Sequence, residues 1–222
     1  MSLAAVLAQP FEEVFFPTLL AGYRNTLLLS SVAFGLSLAI GTVMAVVRIA
    51  PLPVLPRLAR AEVELFRNTP LLLQMSFFQL GLGSIGVRLE LFTIGALALS
   101  LYTGAYVTEV LRSGIAAVGK GQLEAARSLG MGFAATMRLV LLPQAFRTVI
   151  PPLGNLMIAM VKNSAIAGAV AYPDLLYEST ILNDRYFRTF EILTAVAIGF
   201  LSITLPLSFV VSRLERRLRI LR

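Results

Sequence analysis

No charged side chain interrupts the chain between Thr26 and Val47, and this run limits the possible folds more than any other feature. A helix of that length reaches about 33 Å at 1.5 Å per residue, enough to cross the roughly 30 Å hydrocarbon core of a bilayer. Residues 91–108 and 192–212 are likewise free of charge. Inside lipid the backbone N–H and C=O groups must be satisfied within the segment, so such runs are expected to be helices. Composition agrees: 57% of residues are hydrophobic and 14% charged, with a mean hydropathy of +0.82, against about 25% charged in soluble domains. The expected fold is all-α and membrane-integral, one domain over 1–222. Its five spans fall near 24–48, 66–84, 91–112, 150–171 and 190–212.

The same composition excludes several functions. With no cysteine there are no disulfides, thiolate zinc sites or thiolate-held iron–sulfur clusters. With no histidine the commonest metal ligand and general base is missing. No recognisable nucleophile motif stands in their place, so a conduit is expected rather than an enzyme. The net charge of +7 gathers in membrane-flanking segments rather than on one solvated face, which argues against nucleic acid. No basic region precedes the first apolar stretch, so no cleaved signal peptide is expected. Across five spans, fourteen basic residues fall on one side and four on the other. The positive-inside rule then puts the N-terminus outside and the C-terminus in the cytoplasm.

Between the spans, residues 48–60 contain Pro51, Pro53 and Pro56 among arginines and read as a tight surface loop. The second span starts near Phe66 or Pro70, where proline in a first helical turn is tolerated. A glycine-rich turn follows at 81–90. Pro151-Pro152 is expected to open the fourth span, 172–190 to form a polar loop, and Pro206 to kink the fifth span. No long internal repeat is present. Gly35/Ala39, Ser37/Gly41 and Gly41/Ala45 have the small-xxx-small spacing that lets helices approach closely in lipid.

One hydrophilic island, residues 119–143, lies on the basic side: GKGQLEAARSLGMGFAATMRLVLLP. Gln122 to Leu129 and Met131 to Leu142 both have helical composition. Gly130 between them is suited to a left-handed C′ position, giving helix–turn–helix, with Pro143 ending or kinking the second helix. Gly114 to Lys120 fits GxxxxGK, but Gly121 replaces the Ser/Thr that would ligate magnesium. The segment also follows a membrane helix rather than a strand, so a phosphate loop is not expected.

Glu124-Ala125-Ala126, then Gly130, then Leu142-Pro143 resemble the cytoplasmic EAA loop of permease subunits of bacterial ABC importers, with Val140 standing where isoleucine is usual. FRNTPLLLQ, AYVTEVLRSGI, GQLEAARSLGM, LLPQAFRTVIPPLGN and VKNSAIA are similar, in the same order, to permeases for histidine, glutamine, arginine or glutamate. The resemblance covers roughly residues 22–214. It implies the five-helix type I importer permease fold in the bacterial inner membrane. It further implies a second permease subunit (a second copy or a different chain), two cytoplasmic ATPase subunits and an external solute-binding protein. ATP and magnesium would belong to the ATPases, and this chain would hold no cofactor of its own. By the same resemblance Glu124, Ala125, Ala126, Gly130, Met131 and Arg138 are the ATPase-coupling residues. The residues fit that role, since small side chains allow close seating in a partner groove, and Glu124 suits a helix N-terminus or a basic partner.

For the pathway, a charge inside a span is costly and a functional suspect. Lys162 lies in the fourth span, with Asn155 two turns before it on the same face and Asn163 and Ser164 beside it. On the third span Tyr102, Tyr106, Glu109 and Ser113 form one helical stripe. Arg67 and Gln74 share a face of the second. Glu109 and Arg112, at i and i+3, read as a structural ion pair. Two readings of Lys162 remain: an internal ion pair with Glu109 or another carboxylate, or a lining of the path with Lys162, Asn163, Ser164, Asn155, Tyr106 and Gln74. A lysine would favour a substrate carboxylate, which every amino acid carries. KNSA and its surroundings are most similar to glutamate-type permeases. A self-sufficient secondary transporter or channel would need an embedded carboxylate for coupling, and Glu109 is the candidate.

Overall fold

The computed structural model describes residues 10–49, 53–118 and 120–218, and among them every regular element is helical. The first, α1 (Phe11–Ile49), runs 39 residues, well beyond the apolar run that announced it. Glu12 and Glu13 in its first turn and Arg48 in its last complement the helix dipole at both ends.

The surface loop expected at 48–60 is largely a helix, α2 (Leu55–Asn68); Pro51 lies outside the described residues. Pro56 fits because it falls in the first turn, where its missing N–H costs nothing. Pro70 does not sit inside a helix. It drives Thr69 into an extended conformation (φ −99°, ψ 130°), which ends α2. The next helix, α3 (Leu71–Ser84), is apolar but short, and its middle, Phe77–Gly81, widens into a π turn. Arg67 and Gln74 therefore stand on different helices and do not share a face.

α4 (Leu91–Ala116) is followed by α5 (Lys120–Ser128), α6 (Phe133–Thr136), a π turn at Met137–Leu141 and α7 (Leu142–Ser164). Pro151 and Pro152 lie inside α7 rather than at its start, and Pro143 sits in its first turn directly after the π turn. A 3₁₀ turn (Ala165–Val170) continues α7. The polar loop expected at 172–190 contains a helix, α8 (Leu175–Tyr186), and α9 (Thr189–Leu218) runs on through Pro206. Among the described residues four helical segments, Phe11–Arg48, Leu91–Ala116, Leu142–Val170 and Thr189–Leu218, are long and apolar enough to cross a membrane.

The chain divides into two compact units. Among the described residues, 10–33, 71–99 and 160–205 make up the first. Its apolar core is Leu19, Leu175, Leu182, Ile192 and Val196. Polar ties hold α8 to α1: Asn25 Nδ2 donates to the Pro173 carbonyl (2.8 Å), and the Leu175 N–H donates to Thr26 Oγ1 (3.1 Å). Gln79 Nε2 donates to the Val170 carbonyl at 2.9 Å.

The second unit comprises 34–49, 53–70, 100–118, 120–159 and 206–218. Here small residues set the spacing. Ser37, Gly41 and Ala45 form one buried stripe on α1. A Cβ at Gly41 would lie 2.5 Å from Val107 Cβ and 2.8 Å from the Gly104 carbonyl oxygen, so α1 and α4 nearly touch there. A Cβ at Gly114 would come within 2.1 Å of Val149 Cγ1 on α7.

Candidate functional site: the coupling loop and an arginine cluster

The island leaves α4 at Ala116 and returns into α7 at Leu142, wholly within the second unit. Gly130 ends α5 with φ +76°, a left-handed conformation that residues with a Cβ rarely adopt. Its N–H donates to the Arg127 carbonyl (2.9 Å), and the Met131 N–H donates to the Ala126 carbonyl (3.0 Å). This Schellman pair satisfies carbonyls that the last turn would otherwise leave open. The reversal turns Ala126 inward, 3% exposed, and half-buries Met131. Glu124, Ala125 and Arg138 stay exposed, and Leu129 at the tip is 81% exposed.

A second cluster in the same unit centres on Glu109 of α4. Its carboxylate accepts from Arg48 of α1 and from Arg112 Nε (3.0 Å), and Arg67 Nη1 of α2 is 3.9 Å away. Arg67 also stacks on Tyr106, its guanidinium carbon 5.1 Å from the ring centroid, and the Tyr102 and Tyr106 hydroxyls are 3.3 Å apart. Spacing along α4 exposed only the Glu109–Arg112 part. Arg48 lies 61 residues from Glu109 in the chain, and no local pattern links them.

In the first unit Asp174 is fully buried. Its Oδ1 caps α8 by accepting from the Tyr177 N–H (2.8 Å), while Oδ2 is buried without a partner. Burial pushes its carboxyl up to about 7, against backbone N–H groups that pull it down and the nearby Glu178 that adds to the rise. Sequence reasoning placed Asp174 in a loop. The signal it passed over is an aspartate directly ahead of an apolar run, the pattern of an N-cap.

The family model for the inner membrane component of binding-protein-dependent transport systems matches residues 27–220. The chain belongs to this family. The permease is 43% identical over 203 residues to a probable glutamine ABC transporter permease protein, GlnM, of Bacillus subtilis, covering 91% of this chain and 94% of that one. It is 37% identical to a glutamate transport system permease protein, GluC, of Corynebacterium glutamicum, with 92% and 95% covered. Among solved structures it matches an amino acid ABC transporter crystallised with histidines, at TM-score 0.88 and 35% identity over 95% of this chain and 99% of that one. The inward-facing methionine transporter MetNI shares the fold, at TM-score 0.76 and 20% identity over 94% and 99%. The permease is thus a subunit of an amino acid ABC importer in the inner membrane, in a family of transport subunits rather than catalysts.

The residues suspected of lining a path in this permease divide between the units. Gln74, Lys162, Asn163 and Ser164 belong to the first, Tyr106 and Asn155 to the second. Lys162 is exposed and makes no ion pair with the described residues. Asn155 is exposed, Asn163 half-buried, and the Ser164 hydroxyl is spent on the Val161 carbonyl at 2.7 Å. Gln74 is buried. The described residues hold no group of three or more metal-ligating side chains.

Proposed function

We propose that this permease carries a polar amino acid of the glutamine/glutamate class inward, driven by ATP hydrolysis on two cytoplasmic ATPase subunits. The observation that carries the reading is the island: the EAA pattern on a helix reversal with Gly130 at φ +76° and an exposed apolar tip at Leu129. In this reading α5 and the segment after Gly130 seat in a groove of the ATPase. Glu124, Ala125, Ala126, Gly130, Met131 and Arg138 transmit its closure to α4 and α7. ATP and magnesium stay on the partner subunits. A second permease subunit and an external solute-binding protein complete the importer. In this reading the C-terminus and the island face the cytoplasm and the N-terminus faces outward, which the distribution of arginines supports.

For substrate, the relatives named for glutamine and glutamate support that class. Lys162 is proposed to meet the α-carboxylate or to gate the path, with Asn163, Ser164, Asn155, Tyr106 and Gln74 as polar neighbours. An exposed ammonium within a span, with no ion pair among the described residues, is suited to a substrate anion.

Co-purification with the ATPase, followed by ATPase stimulation by binding protein loaded with each candidate amino acid, tests the assignment. Stimulation is expected with glutamine or glutamate. Solute uptake into liposomes by this chain without an ATPase would point instead to a self-sufficient transporter. Gly130→Asp is expected to abolish ATPase association while the chain still inserts, and unchanged association would remove the coupling role from the loop.

A further inference from the structure

In the first unit α8 is set between two residues with an unusual backbone. Ala171 before it has φ +63° and Phe187 after it φ +56°, the two non-glycine residues with positive φ among the described residues. Residues with a Cβ seldom adopt this conformation, and where they do it tends to mark hinges and switch regions. Between these two joints α8 is seated on α1 with almost no slack. A Cβ at Gly22 would lie 2.9 Å from the Asp174 carbonyl oxygen and 2.9 Å from Leu175 Cα.

The seat is built over a carboxyl. Asp174 is fully buried and caps α8 through Oδ1, and its Oδ2 is buried with no hydrogen-bond partner. The elements packed around this junction bring no cation to it. α1 presents Gly22, Asn25 and Thr26, the 3₁₀ turn presents Gly168, and α9 presents Gly199. Arg24 of α1 is exposed and pairs with no described residue. The titratable groups that surround the carboxyl are Tyr172, Tyr177 and Glu178, and Glu178 disfavours a second negative charge. Such a site suits a neutral carboxyl and penalises an ionised one, and burial accordingly raises Asp174 to about 7.

We propose that α8 is a hinged latch seated by a proton: it stays docked on α1 while Asp174 is protonated, and the docking weakens once that proton passes to water. Through Ala171 and the 3₁₀ turn, α8 continues from the end of α7 that carries Lys162, Asn163 and Ser164. Its docking therefore holds in place the residues proposed to line the path. This consequence for transport rests on the proposed role of Lys162, whereas the latch itself does not.

Backbone amide exchange of the full chain in detergent, corrected for the intrinsic pH dependence of exchange, reads the latch. The carboxyl gives up its proton at about 7 when α8 is seated and at about 3.8 when it is released. Amides of α8 are therefore expected to lose protection by about tenfold per pH unit between about pH 5 and 7, and to level off above that. Amides of α4 are expected to keep theirs. Asp174→Asn is expected to hold α8 at its low-pH protection throughout, and Glu178→Gln to leave the parent profile as it is. A flat wild-type profile overturns the proposal, whether or not the variants fold. So does an equal loss in α4, which is unfolding of the whole chain. A profile flattened by Glu178→Gln and not by Asp174→Asn overturns it too, making Glu178 the titrating group. In the importer reconstituted with its ATPase, second permease and binding protein, the ratio of the parent's KM for glutamine uptake to that of Asp174→Asn is expected to rise severalfold over the same pH range. A constant ratio alongside the expected exchange profile supports the latch and removes the path role from Lys162.

Discussion

The two compact units differ most in charge. The segments of the first carry five basic and seven acidic residues, those of the second fourteen basic and five acidic. They are also held together differently. The first closes around an apolar core, with side-chain ties to the backbone at α8. The second closes on glycine contacts and one carboxylate shared by three arginines. The difference shows that gathering basic residues in one unit has a structural cost, because like charges are crowded together. Glu109 offsets that cost by gathering three of them. The first unit, short of cations, instead buries the Asp174 carboxyl with no ion pair among the described residues.

The largest effect is expected from breaking the charged hub. Glu109→Gln keeps the shape but leaves the nearly buried Arg48 without its counter-ion, which costs about 3 kcal/mol. Thermal unfolding of the detergent-solubilised chain checks this, and a change below a tenth of that would show that water already compensates Arg48. Gly114→Ala and Gly41→Ala test the spacing, each expected to cost about 2 kcal/mol by overpacking. The two should part in double variants. Val149→Ala relieves Gly114→Ala because the clash is with a side chain. Val107→Ala does not relieve Gly41→Ala, whose Cβ also meets a backbone oxygen.

The buried acid of the first unit sharpens the comparison through pH. Because burial raises the Asp174 carboxyl from 3.8 to about 7, the folded state binds this proton more tightly than the unfolded chain. Its contribution to stability is fully present below about pH 4 and is lost as the pH rises through 7. Asp174→Asn mimics the neutral form and still caps α8, so it should change stability by less than about 1 kcal/mol at acidic pH. It should also flatten the decline of unfolding temperature with pH that the parent shows. The smallest effect is expected at Arg188, whose pair with Glu12 (3.8 Å) and stacking on Phe11 are both exposed. Arg188→Ala should cost about 0.5 kcal/mol, read from the same melting curves.

Much of the molecule was legible in the chain itself. Uncharged runs announced α1, α4 and α9, and Gly130 between two helical stretches announced the helix reversal within residues 119–143. The prolines were read less well. Pro56 and Pro143 turned out to occupy first turns, and Pro151 and Pro152 the interior of α7, because neighbouring structure decides whether a proline's missing donor matters. The helix at 175–186 was missed because its mean apolarity is low and its start depends on the cap from Asp174.

The sequence alone determined that this chain lives in a membrane, which ends of its helices are basic, and where the hydrophilic helix reversal at Gly130 lies. Those properties come from solvent partition and short-range geometry, which composition and local spacing express. Only the tertiary structure decided that Glu109 serves Arg48 and Arg67 as well as Arg112, that Lys162 forms no ion pair among the described residues, and that Gly41 and Gly114 seat against neighbouring helices. These depend on residues far apart in the chain coming within a few ångströms, and no local pattern encodes that.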